Sequence, residues 1–176
     1  MKKIILVGGG GHCKSVIDVI EQENKFKISG IVDQHKFLGS KILGYKVIGT
    51  DSDLNKLARK YKYALVTVGQ TKTPLIRKKL FTLINKAKFI LPSIISPFAH
   101  VSKHSSVGRG SIIMHHAIIN ANSKIGENCI INTKALIEHD CMISEHTHIS
   151  TNAVINGGVK IKSGSFIGSN ATVTQS

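Results

Sequence analysis

The residues best suited to acid–base chemistry stand in the run Ile137-Glu138-His139-Asp140-Cys141, where a histidine lies between two carboxylates. An imidazole changes its charge near neutral pH, and a neighbouring carboxylate fixes its tautomer and stabilises its protonated form. A general base needs this arrangement. Most of the other histidines in the second half of the chain are expected to face outward as ordinary surface residues.

A second candidate site lies near the start of the chain, in the run Gly8-Gly9-Gly10-Gly11-His12. The residues before it predict a strand and those after it predict a helix, so the run is placed to bind phosphate at a helix N-terminus. Asp33 ends a second predicted strand, where a carboxylate can meet a ribose or a base. Cys13 replaces the third glycine of the dinucleotide fingerprint, which argues against NAD. A tight structural turn is the alternative.

The segment that carries His139 is a repeat with a period of six residues. From Ile95 onward every sixth residue is Ile or Val, and a small or β-branched residue stands four places after each of them except Val173. The aliphatic positions are Ile95, Val101, Val107, Ile113, Ile119, Ile125, Ile131, Ile137, Ile143, Ile149, Ile155, Ile161, Ile167 and Val173. This period fits neither an amphipathic helix nor a half-buried strand, and it is the signature of a parallel β-helix.

Three hexapeptides of such a β-helix form one triangular coil, so residues 18 apart in the chain lie beside one another. The large aliphatic residues point inward, and the small residues lie where the wall turns a corner. Cys129 and Cys141 take the small inward position, which predicts a packing role instead of a redox or nucleophilic one. Gly157 follows His139 by one coil, so its missing side chain lets a ligand approach the backbone beside His139.

The first part of the chain predicts a different architecture. Strands are expected at 3–7, 28–32, 46–49 and 64–68, and helices at 14–22, 52–61 and 74–86. Strands that alternate with helices predict a parallel α/β sheet of the Rossmann-like type. The predicted domains are therefore an α/β domain with its linking helix over 1–90 and a β-helix over 91–176.

The charge of the chain bears on its partners. The net charge is +14, and residues 1–94 hold 18 Lys and Arg against 6 Asp and Glu. Nucleic acid is disfavoured because the chain has no Trp and few arginines, and these residues supply base stacking and bidentate base contacts. A solvated lysine-rich surface, or a domain that attracts a phosphorylated small molecule, explains the charge better.

Composition also bears on the cellular compartment of the protein. Hydrophobic residues make up 41% and charged residues 19% of the chain, as in a folded globular protein, and no apolar run is long enough for membrane insertion. The start of the chain lacks the features of a signal peptide, so a cytoplasmic location is expected. Three widely spaced cysteines predict neither a disulfide framework nor a structural zinc site.

The glycine run after the first strand, the hexapeptide repeat and the segment from Ile131 to Asp140 together resemble one family over nearly the whole chain. This family is the bacterial sugar acetyltransferases, which include sialic acid O-acetyltransferases and N-acetyltransferases of bacillosamine-type glycans. The resemblance implies that a nucleotide-sugar docks on the α/β domain. It also implies that acetyl-CoA lies between neighbouring left-handed β-helices of a homotrimer, with no metal required.

The resemblance assigns roles to individual residues. His139 is implied to be the catalytic base and Asp140 its orienting partner. Asn132 would contact the sugar, while His148 and Gly157 would meet the thioester region of acetyl-CoA. The positions implied for the nucleotide-sugar are Gly8, Gly10, His12, Asp33 and Gly69.

Two departures from the family pattern carry expectations of their own. Cys13 replaces the family glycine after the loop histidine, which predicts a tighter approach to the phosphate. The chain stops at Ser176, whereas relatives continue for further coils, so a C-terminally short β-helix with weak acetyl-CoA binding is expected.

The sequence therefore predicts an acetyl-CoA-dependent acetyltransferase that acts on an amino or hydroxyl group of a nucleotide-activated sugar in surface-glycan biosynthesis. One alternative is a non-catalytic protein that only binds sugar nucleotides. Another is a metal enzyme like the γ-type carbonic anhydrases, which hold zinc with three histidines between subunits. The α/β domain and the Glu138-His139-Asp140 run do not belong to that class.

Overall fold

A computed structural model describes residues 1–175 of the chain. The chain divides into two compact units. The first consists of Met1–Gly69 and Leu75–Pro92, and the second consists of residues 70–74 together with the chain from Ser93 onward. The short segment 70–74 thus belongs to the second unit, although the chain on both sides of it belongs to the first.

The first unit is a five-stranded sheet with connecting helices. Its strands are β1 (Lys2–Val7), β2 (Phe26–Val32), β3 (Lys41–Ile42), β4 (Tyr45–Gly49) and β5 (Tyr63–Val66), and its helices are α1 (Gly11–Glu23), α2 (Leu54–Ala58) and α3 (Leu75–Lys86). The strand order is β3-β4-β2-β1-β5, and every pair is parallel except β3 with β4. The predicted α/β sheet is confirmed.

The apolar runs of the sequence form the core of this unit. Residues 4–7 of β1, which lies between β2 and β5, are buried, as expected where a parallel sheet is covered on both faces. Helix α1 turns Val16, Ile17, Val19 and Ile20 inward, and this spacing gives a helix one apolar face.

The helix predicted over 52–61 is shorter than expected. The chain forms a 3-10 turn at Asp51–Asp53 and then the five-residue helix α2. Thr50 and Asp53 make a capping box, in which each side chain bonds the backbone N–H of the other residue. The helical turn therefore begins at Asp51, immediately after the end of β4.

Strand β5 ends at Val66, two residues earlier than predicted. The guanidinium of Arg77 in α3 is buried and donates hydrogen bonds to the carbonyls of Val66 and Val68, at 3.0 and 2.8 Å. Because a side chain satisfies these carbonyls, the segment after Val66 needs no neighbouring strand on that side.

The second unit is a left-handed parallel β-helix, which we call the prism. Its strands are β6 (Ile94–Ile95), β7 (His100–Val101), β8 (Ser106–Val107), β9 (Ile112–Ile113), β10 (Ile118–Ile119), β11 (Lys124–Ile125), β12 (Ile130–Ile131), β13 (Leu136–Ile137), β14 (Met142–Ile143), β15 (His148–Ile149), β16 (Val154–Ile155), β17 (Lys160–Ile161), β18 (Phe166–Ile167) and β19 (Thr172–Val173). We name its three faces by their sheets. The first face is β6-β9-β12-β15-β18, the second is β7-β10-β13-β16-β19, and the third is β8-β11-β14-β17.

The register of the prism follows the predicted coil of 18 residues. Ile118 pairs with Leu136, Leu136 with Val154, and Val154 with Thr172, and the other two faces keep the same step. The second residue of each strand points inward and joins one continuous apolar core. The free thiols of Cys129 and Cys141 are buried against this core, so their expected inward position is confirmed.

The corners of the prism between Gly110 and Asn170 repeat one backbone conformation. Between Gly110 and Asn170, every sixth residue has a positive φ of 55–75°. The positions are Gly110, His116, Asn122, Asn128, Lys134, Asp140, His146, Asn152, Gly158, Gly164 and Asn170. Most are Gly, Asn or Asp, the residues that adopt this left-handed conformation at least cost.

Candidate functional site

The predicted general base lies at the corner between the second and third faces of the prism. Three successive coils place Ala121-Asn122, His139-Asp140 and Gly157-Gly158 in equivalent positions there. The backbone N–H of Asp140 donates to the carbonyl of Ala121, and the N–H of Gly158 donates to the carbonyl of His139. His139 thus has only a methyl group in the coil before it and no side chain in the coil after it.

The imidazole of His139 is held from one side. Its Nδ1 lies 2.7 Å from Oδ2 of Asp140, and the two side chains are 61% and 53% exposed. A carboxylate only accepts hydrogen bonds, so Nδ1 carries the proton and Nε2 keeps its lone pair. The exposed Nε2 is therefore the atom that can take a proton from a bound molecule.

Of the two carboxylates beside His139 in sequence, Asp140 alone engages the ring among the contacts of the described residues. Oε2 of Glu138 instead accepts a hydrogen bond from Nδ2 of Asn120, at 2.8 Å. Glu138 and Asn120 each follow a strand of the second face and are one coil apart. The two carboxylates that flank His139 in the sequence therefore have different partners, and Asp140 is the one that orients the imidazole.

The carboxylate of Asp140 is kept ionised by its neighbours. Nδ2 of Asn122 donates to Oδ1 of Asp140 at 2.6 Å, while His139 binds the other oxygen. These two hydrogen bonds, that of Asn122 first, hold the pKa of the Asp140 carboxyl below its ordinary value. At neutral pH Asp140 is therefore an acceptor for both partners.

Gly157 leaves space beside the imidazole. A Cβ built at this position would lie 2.7 Å from both Cε1 and Nε2 of His139, closer than real Cβ atoms approach. The predicted place of Gly157, one coil after His139, is thus where the structure has it. Any side chain there would occupy the region that faces Nε2.

Asn132 and His148 form a second group on the first face. Nδ1 of His148 donates to the backbone carbonyl of Gln70, so Nε2 can accept, and it lies 3.3 Å from Nδ2 of Asn132. His148 is only 5% exposed, in contrast to the outward position expected for most histidines of this region. The five residues predicted in the prism therefore divide between two places, with His139, Asp140 and Gly157 at a corner and Asn132 and His148 on a face.

Gln70 is a residue of this second group that the sequence does not single out. Its side chain is buried, and Nε2 lies 2.8 Å from the carbonyl of His146 and 3.2 Å from that of Ser165. Gln70 thus fixes segment 70–74 to the prism and supplies the carbonyl that orients His148.

The first unit contains a cleft of about 570 Å³ at the carboxyl ends of its strands. It is lined by Gly8, Val32, Asp33, Gln34, His35, Thr50, Asp51, Ser52, Val68, Ile76, Lys79 and Leu80. In parallel α/β sheets, ligands bind at this edge. Of the predicted nucleotide-sugar residues, Gly8 and Asp33 line the cleft.

Asp33 shapes the glycine-rich turn. Its Oδ2 accepts the N–H of Gly9 at 3.0 Å, and its Oδ1 accepts the N–H of Gln34 at 2.8 Å. Gly8 has a φ of +105°, and a Cβ there would collide with Val68, so this position requires glycine. The carboxylate thus holds the turn in place at one wall of the cleft.

The other three predicted residues lie around the start of α1. Gly10 precedes the helix, has no side-chain cap, and faces open space. Gly69 lies against His12, because a Cβ at Gly69 would be 3.5 Å from that of His12. None of these three is among the residues that line the cleft described above.

The three cysteines are buried, and burial raises the pKa of the Cys13 thiol to about 11. Within residues 1–175, no group of three His, Cys, Asp or Glu side chains is arranged to hold a metal ion. No helix in the same range has the length and apolar character needed to cross a membrane.

Two family models match the chain. The model of the PglD N-terminal domain matches residues 3–84, and that of the bacterial transferase hexapeptide (six repeats) matches residues 140–175. Among curated proteins, an uncharacterized protein of Acanthamoeba polyphaga mimivirus is 34% identical over 108 residues, or 61% of this chain. The match spans 20% of the viral protein's length.

Solved structures show similarity over almost the whole chain. The acetyltransferase domain of PglB from Neisseria gonorrhoeae is 32% identical with a TM-score of 0.91, and the alignment covers 99% of this chain and 83% of that domain. The same domain is known in complex with acetyl coenzyme A. PerB from Caulobacter crescentus, solved with CoA and GDP-perosamine, is 28% identical with a TM-score of 0.84, and the alignment covers 99% and 90% of the two chains.

Proposed function

The chain belongs to the bacterial sugar acetyltransferases with hexapeptide repeats, and we propose that it transfers an acetyl group from acetyl-CoA to an amino or hydroxyl group of a nucleotide-activated sugar. Such a reaction would serve the construction of a surface glycan. The observation that carries the proposal is the His139–Asp140 pair at 2.7 Å, whose free Nε2 faces the space left by Gly157. The relatives solved with acetyl coenzyme A and with GDP-perosamine support both substrates.

The residues of the corner fit a general-base mechanism. Acetyl-CoA supplies an activated carbonyl in its thioester. Nε2 of His139 takes the proton from the acceptor amine or hydroxyl as the acceptor's nitrogen or oxygen bonds to that carbonyl carbon. Asp140 stabilises the imidazolium through Nδ1, and the imidazolium returns its proton to the departing sulfur when the carbon–sulfur bond breaks. A positioned base of this kind contributes about 10²–10⁴-fold to the rate.

The cleft of the first unit suits the nucleotide part of the acceptor. It has the volume of a small-molecule site and lies at the strand ends where nucleotides bind in parallel sheets. Thr50, Ser52 and the carboxylate of Asp51 offer polar contacts for a base and a ribose, while Lys79 offers a cation for phosphate.

A test of the chemistry compares His139→Ala with His104→Ala. His104 is an exposed histidine of the prism, one coil before Asn122, and has no part in the proposed site. Release of CoA thiol from acetyl-CoA is measured with UDP- and GDP-linked amino sugars as acceptors. We expect His139→Ala to lose at least about 100-fold in kcat and His104→Ala to keep the wild-type rate. Equal rates for the two variants would refute His139 as the base.

We further propose that the working site is shared between chains of a homotrimer. His139 lies at the corner of the second and third faces, whereas Asn132 and His148 lie on the first face, so one prism does not present both groups on one surface. The second face carries an outward apolar column of Ile118, Leu136 and Val154, and Ile118 is 39% exposed. Apolar contact between prisms would cover this column.

Mixed trimers test the shared site. We expect trimers made only of His139→Ala chains or only of Asn132→Ala chains to be inactive, because each lacks one of the two groups that form the shared site. A trimer that contains both variants keeps one site in which His139 of one chain faces Asn132 of another. We expect activity to return when the two variants are unfolded together and refolded, and not when each is refolded alone. Light scattering should give three times 19.1 kDa for the wild type. A monomer in solution, or mixing without recovery, would contradict the shared site.

A further inference from the structure

We propose that Asn122 is a positioning residue that acts on the general base through Asp140. The inference rests on the proposed role of His139 and adds a third member to its hydrogen-bonded chain. Asn122, Asp140 and His139 are joined by contacts of 2.6 and 2.7 Å, so the amide of one coil is coupled to the imidazole of the next.

The order of donors in this chain is fixed by chemistry. Nδ2 of Asn122 can only donate, and Oδ1 of Asp140 accepts it, which leaves Oδ2 for the N–H of the imidazole. A carboxylate with one oxygen held by a neutral amide cannot rotate without breaking that bond. Asn122, in the preceding coil, therefore fixes the plane of the Asp140 carboxylate and, through it, the orientation of the His139 ring.

His139 and Asp140 need the hydrogen bond from Asn122 because their side chains are exposed. The side chains of His139 and Asp140 are more than half exposed, so burial contributes little to holding the pair in one orientation. Ala121 and Gly157, the neighbours of His139 in the adjoining coils, are too small to clamp the ring. The hydrogen bond from Asn122 is then the principal restraint on the Asp140 side of the pair.

The prism contains a matched contact that lacks the catalytic connection. Asn152 has a φ of 58° against 61° for Asn122, and its Nδ2 donates to Oδ1 of Asn170, 18 residues further along the chain, at 2.8 Å. The two asparagines have nearly the same φ, and each donates through its amide to a side chain one coil further along. Only Asn122 binds a carboxylate that holds a histidine, so a purely structural role predicts similar effects at both sites.

The experiment uses Asn122→Gly and Asn152→Gly in the full chain. Glycine adopts the left-handed conformation freely, so each change removes the amide without straining the corner. We expect Asn122→Gly to lower kcat about tenfold with the KM of both substrates unchanged, because the restraint acts on the base and not on binding. We expect Asn152→Gly to keep the wild-type kcat. Equal kcat values in the two variants would overturn the proposal.

A double-mutant cycle tests whether Asn122 acts through Asp140. Gly158 is the natural glycine at the corresponding position of the next coil, so Asp140→Gly is compatible with the corner. In the Asp140→Gly background we expect Asn122→Gly to cause no further loss of kcat, since the carboxylate it positions is gone. An undiminished tenfold loss in that background would contradict action through Asp140.

The test separates this inference from the proposed function. If His139→Ala is as active as the wild type, the general base is wrong whatever Asn122 does. If His139→Ala is inactive while Asn122→Gly and Asn152→Gly have equal rates, the proposed function stands and the positioning role fails. Should Asn122→Gly fail to fold, Asn122→Asp replaces the donor with an acceptor of the same shape and is expected to lower kcat at least as much.

Discussion

Gly157 lies one coil after His139, and the imidazole of His139 occupies the space in which a side chain at Gly157 would need to fit. A Cβ at Gly157 would be 2.7 Å from Nε2 and Cε1, so Gly157→Ala must displace the ring or occupy the space that the reacting groups need. We expect kcat to fall roughly 100-fold, as when a catalytic group is misplaced by about 1 Å. Steady-state kinetics with acetyl-CoA and the acceptor sugar measure this.

A glycine elsewhere in the prism supplies the control for this change. Gly168 has no heavy atom within 4 Å of a built Cβ, so Gly168→Ala adds the same methyl group to open space. We expect its kcat to match the wild type. If both alanine variants lose activity to the same extent, the contact with His139 is not the cause.

The capping box of the first unit predicts a pH-dependent contribution to stability. The backbone N–H and the hydroxyl of Thr50 hold the pKa of the Asp53 carboxyl below its ordinary value. The stabilisation is therefore present above the unfolded pKa of about 3.9 and is lost as pH falls through the lower folded pKa. We expect Asp53→Asn to lower the thermal midpoint at pH 7, and we expect the difference from wild type to shrink as the pH falls below the unfolded pKa.

Asp51→Asn is the matched control for the capping box. It removes the same charge from the same turn, but Asp51 accepts neither of the two bonds from Thr50. The comparison comes from calorimetric scans of the wild type and the two variants at pH 7 and at acidic pH. A larger effect for Asp51→Asn than for Asp53→Asn at pH 7 would contradict the assigned role of the box.

Two adjacent lysines of α3 allow a test of the nucleotide cleft. Lys79 lines the cleft and is the only lysine among its described lining residues, whereas Lys78 is not part of the lining. We expect Lys79→Ala to weaken the binding of UDP and GDP about tenfold, or about 1.4 kcal/mol, and Lys78→Ala to leave the Kd unchanged. Isothermal titration calorimetry measures both, and equal losses would point to a general charge effect instead of a contact.

Gln70 is expected to be more important for stability than its place between elements suggests. Gln70→Ala removes the hydrogen bonds that its amide gives to the carbonyls of His146 and Ser165 inside a buried environment. We expect a loss of about 1–3 kcal/mol in the free energy of unfolding. Hydrogen exchange should rise in segment 70–74, while Gln22→Ala, on the exposed side of α1, should leave both quantities unchanged.

The regular spacing of the prism predicts which residues of the site lie beside one another, but it does not predict all of their contacts. A step of 18 residues from His139 leads to Gly157, and the same step backward from Asp140 leads to Asn122. Spacing does not tell which way a side chain turns at a corner. Glu138, next to His139 in sequence, follows the second face and bonds Asn120 instead.

Contacts between distant parts of the chain are harder to anticipate. Gln70 meets residues 76 and 95 positions away, and no periodicity relates it to them. His148 is buried where Gln70 contacts it. The hexapeptide repeat does not predict this burial, because most outward positions of the repeat are exposed. In the first unit, the glycine run predicts one wall of the cleft, while no nucleotide-binding motif of the sequence points to Thr50, Asp51 or Lys79.

The pairing step of the prism also restricts how its length can change during evolution. Each strand residue bonds partners 18 positions before and after it, so a single inserted residue would turn the following aliphatic side chains outward and separate His139 from Asn122 or Gly157. Insertions and deletions are tolerable only as whole coils or as loops that leave a corner and return to it. Homologous chains should therefore differ in length within this region by multiples of 18 residues, except where such loops occur.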